Sequence, residues 1–206
     1  MKIPLFASLI LFCIWLAFSI SRSRKTGEHT ERDFWEKEAL ADRTRRQPLD
    51  ELSYIEVPYD TLPFSLIPDD PALADAVADC HRILNGFHEK KAVNLTGISN
   101  TDLKLTYGAP NLELLTKYDE NYTLLVRTMQ KWADLLIKAG FTQEAVSIME
   151  FCIETRTDIS ATYRTLAGIY REEGALDKIE KLRETADSLT SIMRQPILRM
   201  LEDAKL

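Results

Sequence analysis

The side chains best equipped for chemistry are crowded into one stretch, KAVNLTGISNTDLKLTYG, Lys91 to Gly108. Asn94, Ser99, Asn100, Asp102, Lys104 and Tyr107 stand there together with Thr96 and Thr101. A carboxylate beside an amine is the raw material of a general acid–base pair. Amides and hydroxyls around it could line a ligand or partner contact. Two features argue for a humbler use. Asp102 and Lys104 are two residues apart, so on a helix they point to different faces. Ser99, Asn100 and Asp102 are also residue types that satisfy helix ends and turns through local hydrogen bonds. The stretch is therefore expected first to cap structure. Contact with a ligand or partner through Asn94, Ser99, Asn100, Asp102, Lys104 and Tyr107 is the second expectation, and catalysis the last.

Elsewhere the chemistry is sparse. The glycines stand at 27, 86, 97, 108, 140, 168 and 174, too scattered for a phosphate-cradling loop. His81 and His88 fall about 10 Å apart along a helix, too far to hold one metal. Cys80 and Cys152 occupy apolar helical positions, where buried reduced thiols are expected rather than a disulfide framework. No metal site, cofactor site or catalytic residue is expected. The formal net charge of −6 argues against nucleic acid as a partner, because phosphate contacts need clustered Lys and Arg. Asn94-Leu95-Thr96 and Asn121-Tyr122-Thr123 match the glycosylation sequon, which is irrelevant on a cytoplasmic face.

The elements that would position these residues begin with an uncharged run, Ile3 to Ile20. As a helix it spans roughly 27 Å, close to the hydrocarbon thickness of a bilayer. Residues 1–21 are expected to be a transmembrane anchor. A cleaved signal peptide ending near Ala17-Phe18-Ser19 is the rival. Arg22, Arg24 and Lys25 follow the run immediately and place the rest of the chain in the cytoplasm by the positive-inside bias.

Residues 22–47 read as a charged juxtamembrane helix or linker, with Thr30 and Asp33 set as a capping box. Phe34, Trp35, Ala39 and Leu40 form its narrow apolar stripe, either spacer or docking surface. From 48 to 71 five of the eight prolines cluster, at 48, 58, 63, 68 and 71, among Tyr54, Ile55, Val57, Tyr59, Leu62 and Phe64. That composition is too apolar for a solvated linker, so it predicts an ordered strap lying across a helical domain. The domain itself, 72–206, is expected to be all-α. Asp70 and Pro71 open a helix whose apolar face is Leu73, Ala76, Val77, Cys80, Ile83, Leu84 and Phe87. Ser99 with Asp102 suggests a short helix ending near Gly108. Asn111 then starts a long one. Its apolar positions, Leu115, Tyr118, Tyr122, Leu125, Met129, Trp132 and Leu136, step by three and four and form a packing seam.

An internal period lies in the C-terminal half. Gly140 and Gly174 are 34 residues apart. In register with them, Met129-Trp132-Ala133-Leu136 corresponds to Tyr163-Leu166-Ala167-Tyr170, and Ala145-Met149-Cys152 to Ile179-Arg183-Ala186. The pattern resembles the tetratricopeptide repeat (TPR), most closely in TYRTLAGIYREEG, Thr162 to Gly174. Two repeats would cover about 126–193, with a closing helix from Pro196 to Lys205. The departures are Ile179 and Arg183, where the family has Ala and a large apolar residue. The region from Phe34 to Tyr122 also resembles membrane-anchored proteins of Gram-positive bacteria, a likeness that implies no activity. The TPR resemblance implies a non-enzymatic, membrane-tethered scaffold or adaptor that takes protein partners. The alternative is a membrane-bound enzyme or ligand sensor using the polar turn at 94–107.

Overall fold

A computed structural model describes residues 31–204 together with Phe12, Trp15 and Leu16. Apart from those three residues, the expected anchor lies outside the described residues, as do its basic flank and the cap at Thr30. Among those described, no helix is long and apolar enough to cross a membrane. The fold is all-α: eight helices and no named strand among the described residues, the only bridge being Tyr54 with Val93. The helices are α1 (31–43), α2 (Pro71–Asn85), α3 (Asn100–Tyr107), α4 (Leu112–Lys138), α5 (Thr142–Glu154), α6 (Ser160–Glu172), α7 (Leu176–Asp187) and α8 (Arg194–Ala204).

The chain divides into two compact units. One contains α1 and α3 (31–47 with 100–111). The other contains 48–99 and everything from α4 onward.

In the first unit polar side chains do the joining. Lys104 of α3 reaches both Glu38 and Asp42 of α1, the latter at 2.7 Å, and Thr101 Oγ1 donates to Glu38 Oε2 at 2.6 Å. Lys37 pairs with Asp102 at 2.7 Å. Ala41 is the one fully enclosed residue of α1, whereas Phe34, Trp35 and Leu40 are 52%, 60% and 62% exposed. Within this unit it is the charged face of α1, not the apolar stripe, that joins α3. Gly108 ends α3 with φ +88°, and a Cβ there would fall on the carbonyl of Arg45. The Asn111 amide holds the same corner by donating to the carbonyls of Gln47 and Tyr107, both at 2.7 Å.

In the second unit the core follows the period of the helices. Asp70 accepts from Ala72 N and Leu73 N, and Pro71 occupies the first turn of α2, where a missing N–H costs little. Val77, Cys80 and Leu84 are buried, while Ile83 turns outward and His81 takes the inward position beside them. Along α4, Leu115, Tyr122, Leu125, Met129, Trp132 and Leu136 are buried, and Tyr118 is half-buried against Tyr54. α4 packs on α2 and α5, α5 on α6, and α6, α7 and α8 on one another.

The two hairpins α4–α5 and α6–α7 turn identically. Gly140 N donates to Ile137 O and Phe141 N to Leu136 O; 34 residues on, Gly174 N donates to Arg171 O and Ala175 N to Tyr170 O. Both glycines have positive φ, +88° and +70°, which is where a helix closed this way places its glycine. The two aligned quartets, from Met129 to Leu136 and from Tyr163 to Tyr170, are buried at all eight positions. Across the stack, Thr162 Oγ1 donates to Gln130 Oε1 at 2.6 Å. Arg183 departs from the pattern and pairs with Glu180 of its own helix.

The strap has a period of its own. Leu52-Ser53-Tyr54, Val57-Pro58-Tyr59 and Leu62-Pro63-Phe64 recur every five residues. In each, the aromatic N–H donates to the carbonyl two residues back, that of Leu52, Val57 and Leu62. Those three aliphatic residues are buried. The aromatics hook onto helices: Tyr59 donates to Leu84 O at 2.6 Å and stacks on His88 at 3.9 Å, and Phe64 lies against Trp132 and His81. Proline at 58 and 63 fixes the backbone for tight turns and gives up a donor that the strap does not need.

Candidate functional site

The polar stretch from Asn94 to Tyr107 is divided between the two units. Asn94 and Ser99 belong to the second, whereas Asn100, Asp102, Lys104 and Tyr107 are all on α3 in the first. On α3, Asp102 and Lys104 engage different residues of α1 and make no pair with each other. Hydrogen bonds from Lys104 to Asp42 and Glu38 raise the Lys104 pKa, so its ammonium stays charged. The bond from Lys104 in turn holds the Glu38 carboxyl below its ordinary range. The Tyr107 carbonyl accepts from Gln47 N at 3.0 Å. These contacts tie helix to helix.

Asn94 sits in a different setting. Its Nδ2 donates to Thr155 O at 2.9 Å, Tyr122 Oη at 3.0 Å and Arg156 O at 3.1 Å, and its Oδ1 accepts from Thr96 N. Asp119 accepts from Leu95 N, and Thr190 Oγ1 donates to Thr96 O at 2.7 Å. Gly97, at φ +83°, is required here twice over, because a Cβ would meet Thr190 Oγ1 at 2.6 Å. The loop 94–97 is thereby clamped to the α5–α6 junction and the α7–α8 junction. Between strap, loop and these junctions opens a cleft of about 510 Å³. Ser53, Asn94, Arg156, Asp158, Thr190 and Ser191 give it its polar character.

Arg156 is the feature that sequence reasoning missed. It closes α5 with the bonding of the two glycine turns: Arg156 N donates to Ile153 O and Thr157 N to Cys152 O. It does so at φ +59°, the only positive φ outside glycine among the described residues. A side chain in the left-handed region costs about 1–2 kcal/mol. Its exposed guanidinium makes no ion pair among the described residues. Asp158 accepts from Ser191 Oγ at 2.5 Å, and Glu154 stands exposed at the cleft edge. The signal available in advance was the C-terminus of α5, where the turn needs a glycine-like residue and the sequence offers Thr155-Arg156-Thr157-Asp158 instead.

Burial makes the deeper groups behind the cleft chemically quiet. It raises the hydroxyl pKa of Tyr122 and of Tyr163, which donates to Thr157 O at 3.0 Å. Desolvation pushes the Cys152 thiol up to about 12, so the reactive thiolate is not formed near neutral pH. The cleft offers hydrogen bonds and charges to a polar ligand. Among the described residues, no group of three His, Cys, Asp or Glu side chains could hold a metal ion. No family model, no curated protein and no solved structure matches this chain.

Proposed function

We propose that this chain is a membrane-tethered interaction module whose C-terminal half is a TPR-like pair of hairpins, anchored by residues 1–21 with the remainder in the cytoplasm. The observation that carries the reading is the equivalence at 34 residues. The turns at Gly140 and Gly174 make matching backbone bonds, and the aligned quartets are buried throughout. Hairpins stacked in this way leave the outer faces of their first helices free for a peptide or partner helix. Lys131 on α4 and Arg164 on α6 are exposed on those helices. Tethering would keep a membrane partner at high effective concentration.

The test is crosslinked capture from detergent-solubilised membranes, comparing the native chain with Lys131→Glu plus Arg164→Glu. Partner capture should be lost while the thermal midpoint stays unchanged. Undiminished capture by the variant would refute the groove, and recovery of the native chain in the soluble fraction would refute the tether.

A further inference from the structure

We propose that the cleft at Arg156 is a binding site for a short zwitterionic peptide of two or three residues, with the peptide carboxylate on Arg156 and its ammonium against Glu154 and Asp158. This goes beyond the scaffold reading and does not depend on it, because the cleft lies at the ends of the hairpins on different residues.

Three properties of the lining select that ligand. The first is charge. One guanidinium stands with two carboxylates at the same cleft. A simple anion would meet Glu154 and Asp158, and a simple cation would meet Arg156. A molecule carrying both signs satisfies all three. The planar fork of a guanidinium suits a carboxylate, and that of Arg156 makes no ion pair among the described residues.

The second is hydrogen-bond polarity. Ser188, Thr190 and Ser191 line the cleft, and each has already given its hydroxyl proton away: Ser188 to Thr185 O, Thr190 to Thr96 O and Ser191 to Asp158. Their oxygens can therefore only accept. With the two carboxylates, the cleft is rich in acceptors and has one strong donor group. Amide N–H groups and an ammonium at one end, with a carboxylate at the other, complement it.

The third is shape. Ile55, Ile98 and Leu189 supply an apolar wall for a side chain, and Ile98 is 45% exposed. A volume of about 510 Å³ lies in the range of small-ligand sites.

The turn also makes a clean experiment possible. Arg156→Gly removes the guanidinium and supplies the residue that this turn favours, so loss of binding cannot be blamed on unfolding. The full chain in a neutral maltoside detergent is titrated with trialanine and followed by amide resonances. Shifts are expected at 94–98, 155–158 and 188–191. Arg156→Gly should weaken trialanine roughly tenfold or more, and trialanine amide should bind the native chain as weakly. Glu154→Gln should weaken trialanine yet leave N-acetyl-trialanine, which lacks the ammonium, unaffected. The proposal is overturned if trialanine shifts nothing up to about 10 mM, if Arg156→Gly binds it as well as the native chain, or if glycerophosphoethanolamine binds in its place.

Discussion

Three helix ends in this protein share one geometry but not one residue type, so they can be perturbed in opposite directions. Gly140, Arg156 and Gly174 all have positive φ, and each is followed by the same pair of backbone bonds. At the two glycines nothing lies within 4 Å of where a Cβ would be. The cost of Gly140→Ala or Gly174→Ala is therefore that of the backbone alone. An L-residue in the left-handed region loses about 1–2 kcal/mol. A stiffer unfolded chain returns about 0.4–1 kcal/mol of that. Each substitution should thus cost about 1 kcal/mol, and the two should agree. For Arg156→Gly the same two quantities change sign, which predicts a gain of up to about 1 kcal/mol.

For a chain of this size, each kcal/mol moves the midpoint by about 2–4 °C. Thermal and urea unfolding of the full chain in maltoside detergent would measure all three variants. The equivalence of the turns is refuted if the two alanine variants differ by more than about 1 kcal/mol. The strain at Arg156 is refuted if its glycine variant is the less stable protein.

Two further perturbations have clear signs. His81 Nε2 is buried without a hydrogen-bond partner, its ring edge-on to Trp132 at 4.7 Å, and burial lowers its pKa below the ordinary 6.5. The folded state therefore binds fewer protons than the unfolded one, and the His81 contribution is intact above pH 6.5 and lost as pH falls below it toward the depressed folded value. The midpoint of the native chain minus that of His81→Leu, compared at neutral and mildly acidic pH, should fall on acidification, the native chain losing stability that the variant keeps; parallel curves would contradict the assignment. Gly108→Ala places a Cβ on the Arg45 backbone, which cannot move as a flexible side chain can. It should cost more than the roughly 1–2 kcal/mol of left-handed strain alone, seen as faster amide exchange across α3 and 44–47. Exchange unchanged from the native chain would show that the contact is not required.

What could be read from sequence was what has a period. The three-and-four spacing of α4 put Leu125, Met129, Trp132 and Leu136 inside, and the structure buries all four. Ile83 obeyed the same spacing but faces outward, because His81 beside Phe64 and Trp132 fills the inward position. The strap was legible in composition but not in mechanism. Its five-residue register of aliphatic, proline or serine, then aromatic residue was there to be seen, yet it is neither a helical nor a strand period. The pairing of α1 with α3 had no such signature. Lys37 and Asp102 are 65 positions apart, and one charged residue looks like another until a partner is known. Glu38 and Asp42, which hold Lys104, look in the sequence like any other charged residues of α1.

Arg156 belongs to neither class of legible residue, and its cost gives it meaning. A turn whose only task is to join two helices is served best by glycine, as at 140 and 174. At the end of α5 the chain carries a side chain that its backbone resists and a charge that no described residue pairs with. Strain of this kind persists when the surroundings enforce it, and it concentrates at sites of function. Here the enforcement is visible: Asn94 holds the Thr155 and Arg156 carbonyls, and Tyr163 holds that of Thr157. Replacing Arg156 by glycine sets two readouts against each other. If Arg156 serves only the fold, stability and trialanine binding should move independently, with binding untouched. If it serves the cleft, the protein should become more stable as it stops binding.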